Sequence, residues 1–143
     1  MKVVRKSALV PYSPHDMYRL VKDVERYPEF LPWCGGAQVK ETFDNGVVAS
    51  VDINKGSLRK SFTTRNHFTE DREITLQLVD GPFSDLNGAW NFEAIGDMGC
   101  RVSLFLEFDF SSTLASITIG PVFNLIADHL LDAFVEEANR LYG

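Results

Sequence analysis

The chain reads as an α+β domain. One curved antiparallel sheet of about seven strands wraps a long C-terminal helix, with one or two short helices after the first strand. Three observations carry this. From Ala37 to Phe110 apolar residues recur with period two between turn signals. From about Thr113 to Tyr142 they recur at three-and-four spacing. The dimensions also match: some 30 helical residues at ~1.5 Å extend about 45 Å, and seven strands at ~4.8 Å span about 30 Å. One helix therefore crosses the whole inner face of the sheet. A sheet bent around a helix leaves room between them, and such room commonly holds a ligand. At 143 residues the chain is a single domain, 1–143.

The first strand covers residues 3–12, with Val4, Ala8, Val10 and Tyr12 on one side. Ser13-Pro14-His15-Asp16 starts a helix: Ser13 caps free N–H groups, Pro14 fits the first position, and Asp16 suits the positive end. Met17, Leu20, Val21 and Val24 form its apolar stripe, and Pro28 ends it near Glu25. Tyr27-Pro28-Glu29-Phe30-Leu31-Pro32-Trp33-Cys34 follows neither a helical nor a strand period. Its prolines bar a helix interior or a central strand. So apolar a stretch is rarely left bare, so it plugs the core or walls a pocket. Gly35-Gly36 closes it.

Gln38–Phe43 leads into Asp44-Asn45-Gly46, a hairpin signal, and Val47, Ala49, Val51 and Ile53 alternate beyond it. Lys55-Gly56 turns the chain. Leu58, Phe62 and Phe68 then share a face with Lys60, Thr64 and Asn66 between them. Ile74, Leu76 and Leu78 alternate next, then Leu86, Trp90, Phe92 and Ala94, then Val102, Leu104, Leu106, Phe108 and Phe110. Phe123, Ile126, Ala127, Leu130, Phe134, Ala138 and Leu141 stripe the last helix, which Gly120-Pro121 kinks or splits.

Composition narrows the function classes. Hydrophobic and charged fractions of 45% and 24% are ordinary, but eleven Phe point to a thick core or a cavity. The net charge of −6 opposes long-range attraction to polyphosphate, so no DNA partner is expected and any RNA contact needs a local basic patch. Lys55, Arg59, Lys60 and Arg65 are the densest candidates, with Arg59 and Arg65 on the face opposite Lys60. Asp128, Asp132 and Glu136, four apart, read as a wet helix face or a protein-partner surface. His15, His67 and His129 match no metal spacing. There is no nucleophile motif or phosphate-binding glycine loop. No catalytic residue, metal or cofactor is expected. Cys34 and Cys100 read as reduced thiols. Ala8-Leu9-Val10-Pro11 is too short for a signal core, and no run approaches the ~18 apolar residues of a membrane span, so a soluble cytoplasmic protein is expected.

Four segments carry a resemblance to a known family: residues 27–34, Lys60-Ser61-Phe62-Thr63-Thr64-Arg65-Asn66, Gly81-Pro82-Phe83 with Leu86, Gly88, Trp90 and Phe92, and Phe108-Asp109-Phe110 followed by Ala133-Phe134 and Ala138. Together they resemble the coenzyme Q-binding protein and RatA ribosome-association toxin family, of the START-like polyketide cyclase/dehydrase superfamily. Glu137 departs from it, standing where a basic residue often precedes the alanine.

The resemblance implies a START-like helix-grip fold and two functions. The first is non-enzymatic binding of a hydrophobic ligand, ubiquinone or a related polyprenyl lipid, in support of respiratory electron transport. The second is a toxin that binds the large ribosomal subunit and blocks subunit association. A third, a small-molecule cyclase or hydrolase, rests on fold analogy alone. The expected ligand-binding residues are Phe30, Leu31, Trp33, Lys60, Phe62, Trp90, Phe92, Leu106 and Phe134. A quinone head would stack on Trp33 or Trp90, with Lys60 as donor to its carbonyl and the tail along the remaining apolar residues. Lys60 has a plainer reading, its stem packed and its charge in water. Lys55, Arg59 and Arg65 are the expected ribosome contacts. A lipid ligand would also bring transient membrane contact.

Overall fold

The computed structural model describes residues 1–97 and 99–143 and has this architecture. Its elements are β1 (Lys2–Val10), α1 (Pro14–Lys22), a 3-10 turn (Val24–Arg26), α2 (Tyr27–Phe30), β2 (Cys34–Phe43), β3 (Gly46–Lys55), β4 (Leu58–Thr69), β5 (Glu73–Asp80), β6 (Phe83–Ile95), β7 (Gly99–Phe110), α3 (Thr113–Thr118) and α4 (Gly120–Tyr142). The strands form one sheet in the order β1-β7-β6-β5-β4-β3-β2. Every neighbouring pair is antiparallel. Strands β2 to β7 lie side by side in chain order, while β1 pairs with the last strand.

Local chemistry sets the element ends. The Ser13 hydroxyl accepts the Asp16 backbone N–H at 3.1 Å, and Pro14 occupies the first turn of α1. Ser13→Ala is expected to cost about 1 kcal/mol, read as a lower urea midpoint with unchanged slope. Helix α1 stops at Lys22, earlier than expected, because Asp23 leaves the helical region (φ −81°, ψ 71°).

The 27–34 segment needs a correction. Its first half is one turn of helix, α2, closed by the Leu31 N–H donating to the Tyr27 carbonyl at 2.9 Å. Pro28 lies in that first turn, where a missing N–H loses no hydrogen bond, so it does not bar the helix. Strand β2 also begins at Cys34, which places Gly35 and Gly36 inside it, at a register shift. A Cβ at Gly35 would lie 1.8 Å from Asn54 Nδ2, so glycine lets the strand pass its neighbour there.

Helix α4 lies along the concave face and buries Phe123, Ile126, Ala127, Leu131, Phe134, Glu137 and Ala138. Ser112 caps α3, and the helix is interrupted at Ile119 before α4 starts at Gly120, which splits the last helical segment as Gly120-Pro121 suggested. Two aromatic clusters hold its ends. Phe108 and Phe83 pack on Phe123 with ring centroids 4.7 and 4.8 Å apart. Trp90, Tyr27 and Phe30 surround Phe134 at 5.0, 5.3 and 5.3 Å. Cys34 and Cys100 are free, buried, and on strands five places apart in the sheet. Burial pushes both thiols above their ordinary pKa.

Candidate functional site: an apolar cavity under a pinned cap

Between the sheet and α4 lies a small cavity of about 90 Å³. Strands β3 to β7 supply Ala49, Val51, Phe62, Leu76, Trp90 and Leu106, and α4 supplies Phe123, Ile126, Leu130 and Phe134. The stretch from α1 to Trp33 caps one end through Val21, Val24, Tyr27 and Trp33.

The cap is pinned by polar contacts as well as rings. The Tyr27 hydroxyl donates to the Val21 carbonyl, and burial pushes its pKa up. Arg26 Nη2 donates to Glu137 Oε2 at 3.2 Å. Arg140 donates through Nε to Glu137 Oε1 at 2.7 Å and through Nη2 to Oε2 at 2.8 Å. One carboxylate, 4% exposed, thus ties α4 to the cap. Hydrogen bonds from Arg140, with help from Arg26, hold its pKa below the ordinary 4.5 against the opposing effect of burial.

Of the nine expected ligand residues, Trp33, Phe62, Trp90, Leu106 and Phe134 line the cavity. The other four do not. Phe30 packs on Phe134 and Tyr27 without reaching the space. Leu31 is a core plug, 1% exposed. Phe92 packs edge-on against Tyr18 of α1 at 5.9 Å. Lys60 is exposed near the tip of the β3–β4 hairpin. Its parity matches Phe62, but the hairpin tip there is open to solvent.

The lining also contains Thr64 and Asn66, at 8% and 5% exposure the buried polar members of β4. Thr64 Oγ1 donates to Asn66 Oδ1 at 2.7 Å. The sequence places both on the Phe62–Phe68 face, and their alternation with the aromatic residues is the signal that marks them.

The expected basic cluster is divided: Lys55, Arg59 and Lys60 flank the β3–β4 turn, and Arg65 lies farther along β4. Arg59 folds back, donating through Nη1 to the Gly56 and Leu58 carbonyls at 2.7 and 2.9 Å. Arg65, six residues or about 20 Å along the strand, lies over the Phe43 ring at 4.7 Å. Lys55 borders an outer recess with Trp33, Ile126, His129, Asp132 and Glu136. Trp33 and Ile126 line both spaces and so stand between cavity and recess. Among the described residues no group of three or more His, Cys, Asp or Glu is placed to hold a metal, and no helix is long and apolar enough to cross a membrane.

A concave sheet closed over an apolar space by a long C-terminal helix defines a START-like helix-grip protein. The chain belongs to the polyketide cyclase/dehydrase and lipid transport family, whose model matches residues 10–135. It is 45% identical over 143 residues to the ribosome association toxin RatA of Vibrio cholerae, covering all of this chain and 99% of that protein. With the Pseudomonas aeruginosa protein of the same name it shares 43% over 140 residues, 98% of this chain and 97% of that one. A mitochondrial coenzyme Q-binding protein, COQ10 of Drosophila melanogaster, is 29% identical over 142 residues, 96% of this chain but 59% of that protein. Among solved structures, an 18 kDa protein of Caulobacter crescentus superposes with a TM-score of 0.76 at 32% identity, covering 100% and 99% of the two chains. The Zhui aromatase/cyclase from Streptomyces superposes at 0.80 over 97% and 94% with 16% identity, a likeness of fold alone.

Proposed function

We propose that this protein is a ribosome-associating toxin of the RatA kind. The observation that supports this best is end-to-end similarity at 43–45% identity to relatives bearing that name. As the sequence resemblance implies, it would bind the large subunit and hinder subunit joining, and it would act in the cytoplasm. Lys55, Arg59 and Arg65 remain the proposed RNA contacts, the first two beside the β3–β4 turn and Arg65 farther along the strand. Arg59 and Arg65 would leave their present partners to meet phosphate. The test is co-sedimentation with large subunits in low salt. Arg59→Glu with Arg65→Glu should lower the bound fraction several-fold and flatten its salt dependence. Equal binding by wild type and variant would remove these contacts. Absence of wild-type binding would remove the toxin reading itself.

A second reading is favoured by the cavity: binding of a hydrophobic molecule, ubiquinone among the candidates. The lining is apolar, and the COQ10 relative is named for coenzyme Q binding. A space of about 90 Å³ does not hold a polyprenyl tail, so such a ligand requires the cap to move. Lipid extraction of protein purified from its host, followed by mass spectrometry, should recover the ligand; empty protein that also fails to bind added quinone would end this reading. Catalysis has less support. Tyr27 is the titratable side chain in the lining, and its hydroxyl is already bonded to Val21.

A further inference from the structure

We infer that the cavity selects a neutral ligand carrying a hydrogen-bond acceptor, a carbonyl oxygen, which Asn66 meets as donor. This rests on the cavity-binding reading and narrows it to a chemical class.

Thr64 and Asn66 lie two residues apart on the inner face of β4, flanked in register by Ala49 and Leu78 beside Thr64 and by Val47 and Leu76 beside Asn66. Two polar side chains on an apolar wall are costly unless they are paired or used. The pairing here is partial. An amide side chain has one acceptor oxygen and two N–H donors. Thr64 spends its hydroxyl hydrogen on that oxygen, which also fixes the amide's orientation. Both oxygens keep lone pairs, and the pair's unspent hydrogens are the two amide N–H groups of Asn66. A hydrocarbon ligand would cover them without satisfying them.

Charge excludes the opposite class. Among the described residues the lining contains no Lys, Arg or His, so a bound carboxylate or phosphate would sit unpaired in apolar surroundings. The outer recess, separated from the cavity by Trp33 and Ile126, carries Asp132 and Glu136 against Lys55 and His129. It does not attract anions. Lys60, which could have met an anionic head group, is exposed at the hairpin instead.

Matched single-ring probes test this in the full chain: acetophenone, ethylbenzene and benzoate, titrated against the fluorescence of the lining residues Trp33 and Trp90 or by calorimetry. Acetophenone should bind about fivefold to tenfold more tightly than ethylbenzene, the worth of one neutral hydrogen bond. Benzoate should bind more weakly than either. In Asn66→Leu the ketone preference should vanish while ethylbenzene still binds, which also shows that the variant is folded. The carbonyl stretch of acetophenone bound to wild type should move to lower frequency than in alkane solvent, a readout independent of any variant. Binding of ethylbenzene with no ketone preference and no shifted carbonyl band would overturn the donor role alone. Tighter binding of benzoate would overturn the neutral class. These rings exceed about 90 Å³, so their binding also needs the cap to open; failure of all three probes in both wild type and Glu137→Gln, whose cap is loosened, would overturn the cavity-binding reading beneath it.

Discussion

Phe134→Ala should cost about 3–5 kcal/mol of stability. The ring is 1% exposed and touches the cap, the sheet and the cavity at once, through Tyr27, Phe30 and Trp90. In a domain whose total stability is about 5–15 kcal/mol, the variant would sit near its unfolding threshold, seen as a large drop in urea midpoint. The truncation also enlarges the cavity. Benzene or a similar small apolar solute should therefore raise the variant's midpoint more than that of wild type, since a ligand that binds only the folded state stabilises it. A loss below about 1 kcal/mol would mean that α4 and the cap close over the gap, and that the cap is not fixed by this ring.

Glu137→Gln is the second. At pH 7 it should cost about 1–3 kcal/mol, because charge-assisted hydrogen bonds are lost while the partially exposed arginines recover some hydration. The pH dependence has a definite sign. The folded-state pKa of Glu137 lies below its ordinary 4.5. Its contribution is thus complete above pH 4.5 and fades as pH falls through the lower folded value. The gap between wild type and Glu137→Gln should be full at pH 7 and should narrow steadily below pH 4.5. A gap that stays constant down to pH 3 would assign the effect to packing rather than to the ion pairs. The same variant should loosen the cap, read as faster amide exchange at Tyr27–Leu31.

The sheet and its gripping helix were legible because alternation and three-and-four spacing are direct imprints of burial. Residues 27–34 were legible as apolar but not as a helical turn. Pro28 has the signature of a helix breaker, yet a proline two residues into a turn removes no bond. Lys60 shows the limit of parity: it fixes which face a residue occupies, not whether another element covers that face. Arg59 and Arg65 show a similar limit, since nearness in sequence along a strand becomes about 20 Å in space. Thr64 and Asn66 were visible as polar residues on the inner face, but only the enclosed space gives them meaning. Glu137 stood out as a departure from its family at the helix end. In the fold its carboxylate is a negative pin for two arginines.

The pairing of β1 with β7 bears on how the chain acquires this fold. Strands β2 to β7 meet their neighbours through tight hairpins and can pair as they emerge. Strand β1 has no such neighbour: Val10 waits for Cys100 and Lys2 for Phe108. Bringing them together closes a loop of most of the chain, a slow non-local step. During synthesis, Val4 and Val10 are made long before their β7 partners Leu106 and Cys100 and are among the last buried residues to be covered. Helix α4, which contacts β1, arrives later still. Completion of the sheet, the cap and the cavity thus becomes a single late event, and an unfinished chain would present an open apolar trough rather than a smaller version of the finished site.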